Sequence, residues 1–270
     1  MPALTLTAIP DIPLIRQGDD LADIIISSLA KAQVDLADAD ILVITQKVVS
    51  KAEGRSVDLS TIAAGTEAIE LARRSGKDPR LAELILAESN QVLRVRPGVV
   101  IVEHRLGFIC ANAGIDHSNV SSPEGGSQKN IYGMEKKDQK GEAWVLLLPV
   151  DPEKTAREIR ATIESRTNRR IGVMIIDSHG RAWRLGTVGV CIGLSGVPAI
   201  LDERGWQDLF GYTLEITVVG VADELAAAAS LMMGQAAEAT PVIHVRGFPY
   251  KLVDGSYKEI LRAKKDDLFR

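Results

Sequence analysis

The stretch Ile171–Arg184, reading IGVMIIDSHGRAWR, constrains this chain more than any other. Val173, Met174, Ile175 and Ile176 make an apolar run rich in β-branched residues, which marks a strand buried on both faces, and the run stops abruptly at Asp177. Asp177 is therefore expected at a strand end. Ser178, His179, Gly180, Arg181, Trp183 and Arg184 follow it, a dense set of donors, acceptors and positive charges where the chain is to leave the sheet. Loop residues carried by a rigid strand are where binding and catalysis concentrate, although an Asx turn at Asp177 with solvated arginines accounts for the same letters.

Leu4–Ile9 alternates as a first strand and stops at Pro10-Asp11-Ile12-Pro13. Gly18-Asp19-Asp20 then opens a helix with Leu21, Ile24, Ile25 and Leu29 on one face. Asp38–Thr45 is a second buried strand, and it delivers Gln46, Lys47, Lys51, Gly54 and Arg55 at its exit. Such a cationic turn suits phosphate or carboxylate recognition, and a plain solvated basic turn reads the same way. Ser60–Asn90 is helical in pattern, with Asp78-Pro79 as an internal start signal, and the segment from Gln91 to Ala111 reads as a small antiparallel meander. A third polar cluster, Asn112, Asp116, His117, Ser118 and Asn119, ends that meander.

Residues 121–142 hold few apolar side chains and read as a mobile loop or lid. Trp144–Leu148 resumes as a strand, and Asp151-Pro152 opens an amphipathic helix carrying Ile159 and Ile163 into the central strand. Strands are expected at Thr187–Leu194, Leu214–Val221 and Pro241–Arg246, and helices at Ala222–Met233 and Ser256–Ala263. The glycines of Thr187–Leu194 do not open a helix as a dinucleotide fingerprint does, so close backbone packing is their expected role.

At 270 residues, 46% hydrophobic and 25% charged, the chain suits one large domain or two interlocked lobes. A net charge of −4 disfavours a protein that coats nucleic acid, which needs a basic excess against phosphates. No apolar run reaches the ~18 residues of a membrane span, and the N-terminus lacks the pattern of a signal peptide, so a cytoplasmic protein with no membrane partner is expected. Cys110 and Cys191 lie in apolar segments without CxxC spacing and read as buried free thiols.

No Walker P-loop, kinase signature, nucleophile elbow or HExxH is present. The 4 histidines are scattered and read as lone surface or packed residues rather than zinc ligands. Oxygen chemistry remains: Asp116 and Asp177, brought together with Ser178 and Gln235, would make a hard-cation site for magnesium or manganese. Such ions bridge nucleotide phosphates, and Lys47, Lys51 and Arg55 could offset the remaining charge.

Several motifs in order resemble the coenzyme F420-0:L-glutamate ligase (gamma-glutamyl ligase) family. They are Ile12-Pro13-Leu14-Ile15 with Gly18-Asp19-Asp20, Val49–Arg55 (VSKAEGR), Asn112–Asp116 (NAGID) with Ser118-Asn119-Val120, Leu147-Leu148-Pro149 with Asp151-Pro152, Ile176-Asp177-Ser178 with Gly180-Arg181, Ala222-Asp223-Glu224, and Met233-Gly234-Gln235. The resemblance runs from about residue 8 to residue 248, and the tail Asp266–Phe269 resembles the end of the ligase half of a two-domain version. The nitroreductase-like C-terminal domain of that version is not expected here.

The resemblance implies an α+β fold of mixed and antiparallel sheets with packed helices, in one ligase unit over residues 1–270 that forms an intertwined homodimer. It implies a GTP-dependent enzyme that joins L-glutamate to coenzyme F420-0 through an acyl phosphate, releasing GDP and phosphate. Asp116, Asp177 and Lys51 would be catalytic. Asp116 and Asp177 would hold one divalent ion, Mg2+ or Mn2+, with Ser178 and Gln235 at a second, and the family often requires K+ as well. GTP would contact Ile12, Pro13, Leu14, Ile15, Gln46, Lys47, Lys51, Asn119 and the segment Met233, Gly234, Gln235, Ala236, Ala237, Glu238, Ala239 and Thr240.

Three features depart from the family pattern. Ser178 stands where archaeal members commonly carry Thr, and Gln46-Lys47 replaces a Ser-Thr pair. Within 121–142 lies an insertion of about fifteen to twenty residues, a length at which loops are often functional; it is expected to affect how many glutamates are added. The alternative readings are the same ligation on a different carboxylate acceptor, and a nucleotide-binding module without turnover.

Overall fold

The computed structural model describes residues 3–118, 120 and 144–268. Asn119 and the segment 121–142, read above as a nucleotide contact and an inserted loop, lie outside the described residues. The chain divides into two compact units: Met1–Ile15, Asp19–Val49 and Asp151–Arg270 form the first, and Arg16–Gly18 with Ser50–Val150 the second.

The first unit begins with β1 (Thr5–Ala8), α1 (Leu21–Lys31) and β2 (Ile41–Thr45). Asp20 starts α1 by accepting the Asp23 amide at 3.0 Å, and the helix turns Leu21, Ala22, Ile25 and Leu29 inward. No basic turn follows β2. Gln46 instead begins a helix at once, α2 (Gln46–Ala52), because Val48, Val49 and Ser50 are buried and hold the chain in helical register.

The second unit contains β3 (Ser56–Asp58), α3 (Thr66–Ser75), α4 (Pro79–Ala87), β4 (Ser89–Arg96), β5 (Val99–His104), β6 (Ile109–Ala111) and β7 (Trp144–Leu146). Strands β4, β5 and β6 form an antiparallel meander, and β3 pairs antiparallel with β7. The Asp78-Pro79 signal opens α4 as expected, Asp78 accepting the Arg80 amide at 2.8 Å.

The chain then returns to the first unit as α5 (Pro152–Thr167), β8 (Gly172–Gly180), β9 (Thr187–Ser195), β10 (Leu201–Asp202), β11 (Val218–Val219), α6 (Val221–Met233) and β12 (Val242–Arg246). Of the strand expected at Leu214–Val221, only Val218–Val219 forms a ladder, with β10; Leu214 and Thr217 make separate backbone bonds to Gly205, Trp206 and Glu203. The terminal helix expected at Ser256–Ala263 is a short 3-10 turn, Tyr257–Ile260.

The main sheet has the order β1-β12-β2-β8-β9. β2 and β8 run parallel and the other neighbours antiparallel, so the sheet is mixed. β2 accompanies β8 only as far as the pair Thr45–Ile176, whereas β9 follows it to Gly180. Asp177 is therefore not at a strand end. The polar half of the organising stretch continues as a two-stranded ribbon, because β9 satisfies its backbone groups where β2 no longer does.

A bulge lies in this pairing. Ile175 faces Gly193 and Ile176 faces Cys191, which leaves Ile192 as the extra residue. Facing residues share a side of the sheet and successive residues alternate, so Gly193 lies on the side of Ile175 while Gly189, opposite Ser178, lies on the other. Each glycine admits a helix. A Cβ on Gly193 would stand 2.5 Å from the Pro152 carbonyl carbon at the start of α5, and one on Gly189 would stand 2.7 Å from the Ser230 Cβ of α6. The sheet is thus covered by α5 on one face and α6 on the other, and close backbone approach explains the glycines, as the sequence led us to expect.

Between β2 and β12 sits a buried ionic cluster. The Asp40 carboxylate accepts His244 Nε2 at 2.8 Å, Arg246 Nε at 2.9 Å, Arg246 Nη2 at 2.6 Å and the Ala37 amide at 2.8 Å. Burial raises its pKa, but the bonds from Arg246, Ala37 and His244 outweigh that and hold it below the usual carboxylate range. A carboxyl depressed in the folded state stabilises the fold above its unfolded pKa of about 3.9 and loses that contribution as pH falls through the folded value. Asp40→Asn is expected to cost about 1.5–3 kcal/mol near neutral pH, the range for hydrogen bonds to charged groups. Urea unfolding measured across the acid range should show part of the wild-type loss below about pH 4 missing from the variant.

Candidate active site

In the first unit the ribbon formed by β8 and β9 presents two different faces. Asp177 and His179, two residues apart, share one face, and His179 Nε2 lies 3.0 Å from Asp177 Oδ2 with both side chains 10% exposed. Ser178 points to the other face, the one covered by α6. There its Oγ donates to Gln235 Oε1 at 3.1 Å, and Gln235 Nε2 donates to Ser230 Oγ at 3.2 Å.

Gln235 reaches this place because α6 stops just before it. Gly234, at φ 71°, ends the helix in a backbone region that favours glycine. Thr240 Oγ1 then caps the helix end on the Met233 carbonyl at 3.0 Å, and Glu238 Oε2 accepts the Ala236 amide at 2.7 Å. Met233 is buried, Gly234 and Thr240 are half-buried, and Gln235, Ala236, Ala237, Glu238 and Ala239 are exposed, so the expected nucleotide segment is a surface turn fixed at both ends. Ile12–Ile15 follows β1, with Pro13 and Leu14 exposed and Ile15 buried. Gln46 is fully buried at the start of α2, and Lys47 and Lys51 follow one helical turn apart.

Asp116 belongs to the second unit. Asn112, Ala113 and Gly114 all take left-handed backbone angles, φ 53°, 54° and 66°, and this turn delivers Asp116 beside β7. Asp116 exchanges both backbone hydrogen bonds with Leu146, each 2.9 Å. Lys51, one residue before the end of α2, lies in the same unit. Arg55, read from sequence as a cation for phosphate, is instead engaged within the fold: its Nε donates to the Leu148 carbonyl at 2.8 Å and its Nη2 to Glu88 Oε2 at 2.6 Å.

Two residues near Asp177 were not singled out as site residues from the sequence. His179 was legible in principle, since strand alternation sets residue i+2 beside i. Asp223, in the first turn of α6, accepts the Cys191 amide at 2.9 Å next to the bulge. Burial pushes its carboxyl pKa up, with the Cys191 amide and the charge of His179 opposing the shift. Nothing in the sequence placed it there. Cys110 and Cys191 are both buried and free, as expected from their apolar settings.

Among the described residues no group of three or more His, Cys, Asp and Glu stands ready for a metal. Asp177 offers a carboxylate on one face of the ribbon, and Ser178 with Gln235 offers a hydroxyl and an amide oxygen on the other; oxygen donors of these kinds suit a hard cation such as Mg2+ or Mn2+ rather than zinc. No described helix is long and apolar enough to cross a membrane.

Fold and site together define an α+β protein whose β8–β9 ribbon runs past the end of β2 and carries oxygen donors on both faces. The family model described as F420-0:Gamma-glutamyl ligase matches residues 10–247. The chain is 43% identical over 269 residues to the coenzyme F420:L-glutamate ligase of Methanothermobacter thermautotrophicus, covering 99% of both chains. It is 41% identical over 274 residues to the enzyme of that name from Methanopyrus kandleri, covering 100% of this chain and 99% of the other. With that of Archaeoglobus fulgidus it shares 40% over 259 residues, 96% of this chain and 93% of the relative. The chain belongs to the F420-0:gamma-glutamyl ligase family.

Because the bond between Ser178 and Gln235 is exposed, Ser178→Ala is expected to change stability by less than about 1 kcal/mol, and Ser178→Thr, which keeps the hydroxyl, by less still. Denaturant unfolding of the two variants checks this, and establishes whether any functional loss in Ser178→Ala arises at the site itself.

Proposed function

We propose that this protein joins L-glutamate to coenzyme F420-0 in a GTP-dependent reaction, in the gamma-glutamyl-ligase fold. The observation that carries this reading is identity of 43% over essentially the whole of a coenzyme F420:L-glutamate ligase. The donors on the β8–β9 ribbon support it. A free carboxylate is a poor electrophile, so the acceptor's carboxyl oxygen first takes the terminal phosphoryl group of GTP. GDP leaves, the glutamate amine attacks the acyl phosphate, and phosphate departs as the amide bond forms.

The chain's own groups have separate tasks in this scheme. Asp116 and Asp177 would hold one divalent ion, and Ser178 and Gln235 a second, with K+ as a further ion. When bound, these ions offset the phosphate charge that otherwise repels an anionic nucleophile. Lys51 and Lys47, with the segments Met233–Thr240 and Ile12–Ile15, would orient the nucleotide. His179, beside Asp177, fixes how that carboxylate is presented.

Mass spectrometry of the purified protein with coenzyme F420-0, GTP, Mg2+ or Mn2+ and L-glutamate tests the reading. Products heavier by one or more glutamyl residues are expected from the wild type, and at least about a hundredfold less from Asp177→Ala, given the weight of electrostatic stabilisation in such reactions. GTP binding by folded wild type without any product would favour a different carboxylate acceptor.

The reading includes a homodimer. On the first unit Leu185, Leu209 and Phe210 are 97%, 98% and 95% exposed, and Trp183 and Ile216 are also largely bare. Large apolar side chains this exposed, in the segments 183–185 and 209–216, are candidates for an interaction site, and a second copy is the partner proposed for them. Light scattering should give twice the chain mass for the wild type and a shift toward the single-chain mass in Leu209→Asp with Phe210→Asp; an unshifted dimer in that variant would place the contact elsewhere.

A further inference from the structure

Residues 147–150, which follow the Leu146 that pairs with Asp116, are held by one loop after α2. Glu53-Gly54-Arg55 follows α2, and Gly54 makes the turn at φ 70°. Three bonds run from this loop to residues 147–150. The Leu147 amide donates to the Arg55 carbonyl at 3.1 Å, Arg55 Nε donates to the Leu148 carbonyl at 2.8 Å, and the Val150 amide donates to Glu53 Oε2 at 2.9 Å. Immediately before them, Leu146 uses its own N–H and C=O on Asp116. The backbone at 146–148 therefore lies between Arg55 and Asp116, bonded to both.

Side-chain packing closes the same path. A Cβ on Gly114 would stand 2.5 Å from Leu148 Cδ1, so the left-handed turn before Asp116 rests on Leu148. Any drift of Leu148 would move that turn. The Arg55 guanidinium that holds Leu148 is itself anchored by Glu88 at 2.6 Å, with the two side chains only 21% and 13% exposed. His104 faces Glu88 as well, its Nε2 at 3.8 Å from the carboxylate. A planar guanidinium can bond two acceptors in fixed directions at once, which a lysine ammonium in the same place does less well.

Resting on the reading of Asp116 as a metal ligand, we propose that Arg55, anchored by Glu88, is a positioning residue for Asp116 and sets how tightly the divalent ion is held. Arg55 acts through Leu148, not by touching the nucleotide. Residues that orient a metal ligand from behind typically change affinity by about 10–100-fold when removed.

The test is direct Mn2+ binding by the full chain, followed through the paramagnetic resonance signal of free Mn2+, which needs neither GTP nor acceptor. The Asp116-dependent site is identified by its loss in Asp116→Ala. Arg55→Met is expected to raise the dissociation constant of that site about tenfold or more with its stoichiometry unchanged, and Arg55→Lys to raise it less. A merely structural role would lower the stoichiometry with the unfolded fraction and leave the constant of the folded protein as it was. Should Arg55→Met fold poorly, Glu88→Gln keeps the bond to Leu148 while removing its ionic anchor, and a smaller rise in the constant is expected. In ligase assays the rate deficit should close as Mn2+ is raised, with KM for glutamate unchanged. An unaltered dissociation constant in folded Arg55→Met or Glu88→Gln overturns the proposal, and equal Mn2+ binding by Asp116→Ala and wild type overturns the metal reading and the proposal with it.

Discussion

One extra residue in β9, Ile192, governs the architecture of the first unit. With an even register, Gly189 and Gly193 would lie on the same side of the sheet. The bulge turns them to opposite sides, and each admits a helix to within backbone contact, α6 at Gly189 and α5 at Gly193. Coverage of both faces is what allows Val173, Met174, Ile175 and Ile176 to be wholly apolar. Strand alternation sets Asp177 and Ser178 on different faces of the ribbon, so that one meets His179 and the other the end of α6.

The polar groups of the fold divide by how fully they are committed. Asp40 is saturated by His244, Arg246 and the Ala37 amide deep between two strands, and serves to tie β2 to β12. Arg55 and Glu88 are similarly committed within the second unit. Asp177 and Ser178 differ because they lie past the last residue that β2 pairs, and there Ser178 meets the exposed Gln235 at the end of α6. Membership of a gamma-glutamyl ligase family accords with that division, since adding an amino acid to a carboxylate requires charge to be managed at a fixed point.

Most strands and helices were legible because burial writes a period into the letters. The apolar run before Asp177, the capped start at Asp20 and the Asp78-Pro79 signal all describe local geometry, and the structure has them. Failures came where a partner decided the outcome. β8 runs on through polar residues because β9 supplies hydrogen bonds, and Gln46 enters a helix because Val48, Val49 and Ser50 are buried. Leu214–Thr217 alternates Leu, Glu, Ile and Thr, yet it makes only isolated backbone bonds to residues 203–206 rather than a strand ladder. Arg55 shows the same limit for chemistry, since a cation free in sequence is engaged once Leu148 and Glu88 stand next to it.

The sequence by itself determined the α+β pattern of elements, the buried strand that ends its apolar run at Asp177, and, through motifs retained in order along the chain, the family. These are properties of neighbouring letters, and neighbouring letters share a strand, a helix or a motif. Tertiary structure alone decided that Ser178 meets Gln235, that Asp223 secures the bulge, and that Arg55 holds the segment beside Asp116. Each of these rests on register or on contact between elements. A single unpaired residue, Ile192, reverses the face of every side chain that follows it.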